Sequence, residues 1–275
     1  MPSPLDGIRI VLVEPSGELN VGSVARILKN MGLQHLVLVH PHCDWLGAEA
    51  LKMAVHGSEV LRSAVVVSTL PEALTGCQRA VATVGRDRHE THPILELPRD
   101  ALPWLIPSPP PSAPSGVDHQ SALIFGPEDR GLSNREIQYA HRLVRIPSSP
   151  VYSSLNLAQA VAICTYEIYS YFLYSQIEAP LEDLSSLADA SRVKDGWFQT
   201  EPAPIEALER FYQQLEMLLL QVGYMYPHTA ASQMKKWRHL FNRAQPSVLE
   251  VAMLQGMLRQ MGWASANPVS PPSEL

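Results

Sequence analysis

Three short stretches of this chain carry polar side chains where a backbone can receive a ligand. They are Asn20-Val-Gly-Ser-Val-Ala-Arg26, Phe125-Gly-Pro-Glu-Asp-Arg-Gly-Leu-Ser133 and Tyr152-Ser-Ser-Leu-Asn-Leu-Ala-Gln-Ala160. Each joins an apolar run to a helix-forming pattern, and the unpaired N–H and C=O groups of such junctions are free to hold a polar group. Arg26 is the residue that local structure explains least. A cation in the early half of a helix works against the macrodipole, and a phosphate or carboxylate partner would account for it, although an exposed arginine without a partner is the commoner case. A fourth candidate is the turn Gly85-Arg86-Asp87-Arg88, whose amides and guanidinium groups follow a strand pattern. The second stretch also has a purely structural reading: Gly126-Pro127 makes a tight turn, and Ser133 caps a helix with Glu136 completing a capping box.

The elements that must position these residues read as an α/β alternation. Strands are expected at Ile8–Glu14, His35–Val39, Ala64–Ser68, Arg79–Val84, Ser121–Phe125 and Leu143–Ile146. Helices are expected from an Asn20 N-cap to Met31 with Gly32 as the C′ residue, over Ala48–His56, over Pro71–Gly76, from Ser133, and from Leu155 onward. In open parallel sheets ligands bind at the carboxyl edge, which is where the four loops fall. The proline-rich stretch Pro103–Gly116 reads as an exposed loop. The chain is therefore divided into an α/β domain over 1–175, an acidic linker over 176–204 and a helical domain over 205–265. In that last domain Ile205–Val222, Ala230–Arg243 and Ser247–Met261 carry apolar residues at helical spacing.

At 275 residues and 46% hydrophobic, the chain can bury a sizeable core. Its start has no basic and apolar leader pattern and no stretch reaches membrane-spanning length, so a cytoplasmic protein with no membrane partner is expected. Three cysteines, Cys43, Cys77 and Cys164, lie far apart without a CxxC spacing, which indicates neither a disulfide framework nor a zinc site. No metal cluster, Ser/His/Asp order or G-x-G-x-x-G run is evident.

A net charge of −6 argues against a nucleic-acid partner until its distribution is read. Thirteen basic residues face sixteen acidic ones up to position 175, two face eight over 176–209, and six face three over 210–275. Within the last segment Lys235-Lys236-Trp237-Arg238-His239-Leu240-Phe241-Asn242-Arg243 sets four cations and two aromatics on one helix. That spacing suits phosphates and bases, and it equally suits a solvated face with Trp237 and Phe241 in the core.

In this order and at these separations, the three polar stretches resemble the three motifs of the SPOUT-class, TrmH-like RNA ribose 2′-O-methyltransferases. The segments Leu208–Tyr212 and Lys236–Pro246 further resemble the C-terminal part of tRNA-modifying members of that class. The resemblance implies a parallel-sheet SPOUT fold with a C-terminal trefoil knot, followed by a small all-helical domain. It implies an S-adenosyl-L-methionine cofactor, a homodimer, no metal, and a tRNA substrate methylated on a ribose 2′-hydroxyl of cytidine or uridine, at nucleotide 32 of the anticodon loop. Ribosomal RNA is the alternative substrate, and a catalytically silent RNA-binding protein of the same fold is the alternative class.

Carried over position by position, Thr83, Val84, Gly85, Gly126, Ile146, Ser153, Ser154 and Leu155 line the cofactor. Val84-Gly85 stands where related sequences tend to have Ser-Ala, which removes a side-chain hydroxyl there. Methyl transfer to a weakly nucleophilic hydroxyl needs in-line placement and help with the departing proton. Arg26, Asn20, Ser154 and Asn156 are the expected catalytic group, with Arg26 orienting the hydroxyl and Glu128 holding a loop. Arg26, Arg86, Lys235, Lys236, Arg238 and Arg243 are the expected RNA contacts.

Overall fold

The computed structural model describes residues 3–85, 95–106, 120–151, 153–178 and 202–267. The chain divides into two compact units, Met1–Lys194 and Asp195–Leu275.

In the first unit the elements run β1 (Ile8–Val13), α1 (Glu18–Asn30), β2 (His35–Val39), α2 (Ala48–Ala54), α3 (Ser58–Arg62), β3 (Val65–Val67), α4 (Leu70–Ala73), β4 (Cys77–Thr83), β5 (Leu95–Glu96), α5 (Pro98–Ala101), β6 (Gln120–Phe125), α6 (Asn134–Ile137), β7 (Arg142–Val144) and α7 (Leu157–Glu178). The seven strands form one sheet in the order β3-β2-β1-β6-β4-β7-β5, and every pairing is parallel. The central strands are apolar on both faces because helices cover both: Ile10, Val11 and Leu12 of β1 and Ala122, Leu123 and Ile124 of β6 are wholly buried. Helix α1 lies against α2 so closely that a Cβ on Gly22 would stand 2.2 Å from the Ala50 carbonyl oxygen, which only glycine permits.

Four sequence expectations are corrected here. Helix α1 starts at Glu18 behind Gly17, so Asn20 is not the N-cap; it sits in the first turn with its side chain committed elsewhere. The last helix of this unit starts at Leu157, and Asn156 is its cap, with Oδ1 accepting from the N–H groups of Ala158 and Gln159. A two-residue strand, β5, extends the sheet beyond β7, too short to leave a periodic signal. Pro103 belongs to a 3-10 turn, Leu102–Leu105, whose leucines are fully buried, so the proline-rich stretch begins as core. The rest of that stretch, 107–116, lies outside the described residues, as do Arg86, Asp87 and Arg88.

The second unit holds α8 (Ile205–Gln221), α9 (Pro227–Ala244) and α10 (Val248–Ala266). Phe211, Tyr212 and Leu215 of α8, Met234 of α9 and Val251 and Leu258 of α10 make its core, and Trp237 and Phe241 pack against it. Of the two readings open for that aromatic pair, the core reading holds. Phe211 and Phe241 meet edge-on at 4.8 Å between ring centroids.

Candidate functional site

A pocket opens where the sequence places it, at the carboxyl ends of β4, β6 and β7. Its lining includes all eight residues expected to hold a cofactor: Thr83, Val84, Gly85, Gly126, Ile146, Ser153, Ser154 and Leu155. Gly126, at the end of β6, is there for steric reasons. A Cβ on it would stand 2.3 Å from the Leu132 nitrogen and 2.4 Å from the Gly131 carbonyl carbon, so the second motif can fold back only over a glycine. Gly131 completes the turn with a φ of +67°. At Gly85 a Cβ would meet nothing within 4 Å among the described residues. The Thr83 hydroxyl is already used, donating to the Ile124 carbonyl at 3.1 Å.

A polar relay joins one residue from each of the three motifs. Asn156 caps α7 with its Oδ1, which leaves its Nδ2 to donate to Asn20 Oδ1 at 2.9 Å. Asn20 Nδ2 in turn donates to Glu128 Oε1 at 2.9 Å, while Glu128 Oε2 accepts from the Ser16 N–H at 3.3 Å and the Ser16 hydroxyl at 3.2 Å. The cap fixes which end of the Asn156 amide is which, and that choice propagates to Asn20 and then to the carboxylate. Burial pushes the Glu128 carboxyl up, but the hydrogen bonds from Asn20, its own backbone and Ser16 outweigh burial and hold it below the ordinary value. Glu128 therefore holds a loop, as expected from the sequence, and it does so ionised.

Beside the relay stands an ionic bracket that sequence reading missed. Arg130 donates to both carboxylate oxygens of Glu136, at 3.0 and 3.1 Å, and to Glu14 Oε2 at 2.7 Å. Glu14 follows β1 with a φ of +46°, a conformation unusual for a residue with a Cβ. The Ser133–Glu136 capping box is present, so the structural reading of that pair is correct. Paired carboxylates are common, and nothing in the local sequence ties Glu14 to Arg130.

The expected catalytic residues are only partly assembled. Asn20 and Asn156 are joined in the relay, and Ser154 lies exposed on the pocket rim. Arg26 does not line the pocket. It lies six residues beyond Asn20 on α1, about 9 Å along the axis, exposed and without an ion pair among the described residues. The Gly57 turn packs on its backbone, since a Cβ there would come 2.9 Å from Arg26 Cα.

In the second unit, Lys236 and Arg243 are exposed and Lys235 half-buried on α9. Arg238 is different: its guanidinium pairs with both carboxylate oxygens of Glu209 and lies 4.4 Å from the Tyr212 ring centroid. It is built into the α8–α9 interface, which leaves the expected RNA contact resting on the other three. Among the described residues no group of three or more potential metal-binding side chains occurs, and no helix is long and apolar enough to cross a membrane.

The pocket wall is mixed, and Arg130 lines it beside the acidic Glu128 and Asp129. Ile146, Leu155, Leu157 and Ala160 supply apolar wall, the glycines supply approachable backbone, and Glu128 and Asp129 supply negative charge on one side.

Comparison with known proteins agrees with this geometry. Residues 7–166 match the model of the SpoU rRNA methylase family, and residues 206–270 match that of the TrmJ tRNA methyltransferase C-terminal domain. The tRNA (cytidine/uridine-2′-O-)-methyltransferase TrmJ of Pectobacterium atrosepticum is 40% identical over 257 residues, covering 92% of this chain and 96% of that protein. The crystal structure of TrmJ from Z. mobilis ZM4 superposes with a TM-score of 0.71 at 29% identity, over 92% of this chain and 98% of that one. A probable methylase family protein from Haemophilus influenzae gives a TM-score of 0.56 at 29% identity, over 94% and 96%.

Proposed function

The chain belongs to the SpoU rRNA methylase family and to the TrmJ tRNA methyltransferases within it, and from that premise we propose that it transfers a methyl group from S-adenosyl-L-methionine to a ribose 2′-hydroxyl of cytidine or uridine in tRNA. The observation that carries this reading is that the second and third motifs line one pocket while the Asn156–Asn20–Glu128 relay ties the first motif to both.

The pocket residues fit the cofactor, which supplies an electrophilic methyl group when bound. Val84, Gly85, Gly126 and Leu155 would offer it backbone groups, and Ile146 and Leu157 would supply an apolar wall that excludes water. The ionised Glu128 keeps the three loops in register and would add negative charge to the wall of the site. Ser154 holds the acceptor ribose at the rim, and Asn156 fixes the loop that presents it. Arg26, which lies outside the pocket of its own chain, engages a substrate phosphate with its planar fork and orients the 2′-hydroxyl by charge, and the hydroxyl proton passes to solvent water as the new C–O bond forms and the C–S bond breaks.

The substrate nucleotide is number 32 of the anticodon loop, and the exposed α9 side chains Lys235, Lys236 and Arg243 supply phosphate contacts. The protein works as a cytoplasmic homodimer without a metal ion. Support for the dimer comes from α7, which leaves Ile163, Tyr166, Leu173 and Tyr174 exposed on one side, a surface suited to a second copy. A C-terminal trefoil knot in the chain is part of the same proposal. Incubation with radiolabelled S-adenosylmethionine against separate tRNA and rRNA pools tests the proposal. Label in tRNA alone is expected; label in rRNA alone transfers the chemistry to the other substrate, and no label in either identifies a silent binding protein.

A further inference from the structure

The stretch that leaves α8 and opens α9, Gly223-Tyr-Met-Tyr-Pro-His228, is built to display aromatic rings. Gly223 turns the chain with a φ of +75°, and Met225 is buried in the core of the unit. With Met225 pointing in, its neighbours point out: Tyr224 is 63% exposed and Tyr226 61%. The segment is nevertheless anchored. The N–H groups of Tyr224 and Met225 bond the Leu219 carbonyl, and the Tyr226 carbonyl accepts from Thr229 and Ala230 as α9 begins. On that fixed base the rings of Tyr226 and His228 lie parallel, 15° between planes and 5.9 Å between centroids. A pair of exposed large rings held side by side gains no burial for the fold.

His228 also heads one face of α9. At 100° per residue, His228, Ser232, Lys235, His239 and Arg243 follow one another on that face, with Lys236 beside them, over about 22 Å of helix. Among these residues there is no carboxylate. The rings thus stand at the end of a cationic track.

We propose that Tyr226 and His228, with Tyr224 beside them, form a stacking platform for an unpaired nucleobase of RNA whose backbone runs along this face of α9. The inference rests on the tRNA-binding reading above and adds to it the class of element read: a single-stranded nucleotide, not a duplex. Base–aromatic stacking tolerates any base and needs only a π-face, which an exposed tyrosine supplies, whereas the cations alone would hold paired and unpaired RNA equally.

The test compares the full-length protein with Tyr226→Ala and Tyr226→Phe in binding to a twelve-nucleotide oligouridine, to an RNA duplex of the same length, and to a tRNA transcript. Tyr226→Ala should weaken oligouridine binding roughly 5- to 150-fold and leave duplex binding within twofold, while the slope of log affinity against log salt is unchanged because no phosphate contact is lost. Tyr226→Phe, which keeps the ring, should behave as wild type. Lys235→Ala with Lys236→Ala should do the reverse, lowering the salt slope by about two and weakening both RNAs. Equal weakening of single strand and duplex by Tyr226→Ala, or no weakening of either, overturns the platform and leaves its rings to a protein partner or to none. If the wild-type protein binds none of the three RNAs, the tRNA reading itself fails.

Discussion

Glu128→Ala should loosen all three motif loops at once, and the size of the effect can be worked from the relay. The carboxylate accepts three hydrogen bonds, from Asn20 Nδ2 at 2.9 Å, the Ser16 hydroxyl at 3.2 Å and the Ser16 N–H at 3.3 Å. Bonds to a charged group are worth about 1.5–3 kcal/mol each, but this one is half-exposed and screened by water, so about 2–3 kcal/mol in total is the expected loss. For a unit of this size that is a fall in Tm of about 5–10 °C. Asn20 cannot recover the bond by turning over, because its Oδ1 is held by Asn156, whose own amide is fixed by capping α7. Single-turnover methyl transfer should drop about 100-fold, as expected for a misplacement near 1 Å. Glu128→Gln should fall between, since its NH2 must face one of the existing donors. The acid limb separates charge from shape. The Glu128 pKa is lowered in the folded state, so its contribution is complete above the ordinary carboxylate pKa of about 4.5 and is lost as pH falls through the lowered value. The stability difference between wild type and Glu128→Gln should therefore be constant from pH 7 to about 5 and shrink below that. A Glu128→Ala protein with wild-type Tm and wild-type single-turnover rate would refute the relay as the device that holds the site.

Arg26→Ala should lower the methylation rate by about 10²- to 10⁴-fold with cofactor titration and sedimentation unchanged, and Arg26→Lys should rescue little because an ammonium lacks the fork. Gly126→Ala should abolish cofactor binding and cost about 1–3 kcal/mol by denaturant unfolding, because the clash at 2.3 Å is with backbone that cannot rotate away. Arg238→Ala should appear as a stability loss of about 2 kcal/mol in unfolding of the second unit, with a smaller change in the salt slope of tRNA binding than Lys236→Ala gives. Sedimentation of the wild-type chain should give a dimer, and Tyr166→Asp with Tyr174→Asp on the exposed face of α7 should shift it toward monomer and reduce turnover.

What the sequence carried and what it hid follow from the range of the interactions involved. The three motif stretches were legible because their glycines, turn residues and capping groups act locally; the Ser133–Glu136 box is set by a spacing of three. Asn20 was misplaced for the same reason. An asparagine before a Gly- and Ser-bearing helix start looks like an N-cap, and only partners 108 and 136 residues away show that its amide is engaged elsewhere. The Arg130 bracket to Glu14 spans 116 residues and leaves no local trace. In the second unit the aromatic pair at Trp237 and Phe241 has one helical spacing whether it faces core or solvent, and Arg238 is removed from the basic face by Glu209, 29 residues earlier on another helix. Strand β5 was missed because two residues cannot show a period.

The most direct measurement digests tRNA methylated by the wild-type protein to nucleosides to identify the methylated species and, in parallel, with a base-specific ribonuclease to fragments whose masses locate the new methyl. The account predicts 2′-O-methylcytidine or 2′-O-methyluridine, mapping to nucleotide 32. A methyl on a base, or on a ribose outside the anticodon loop, contradicts it.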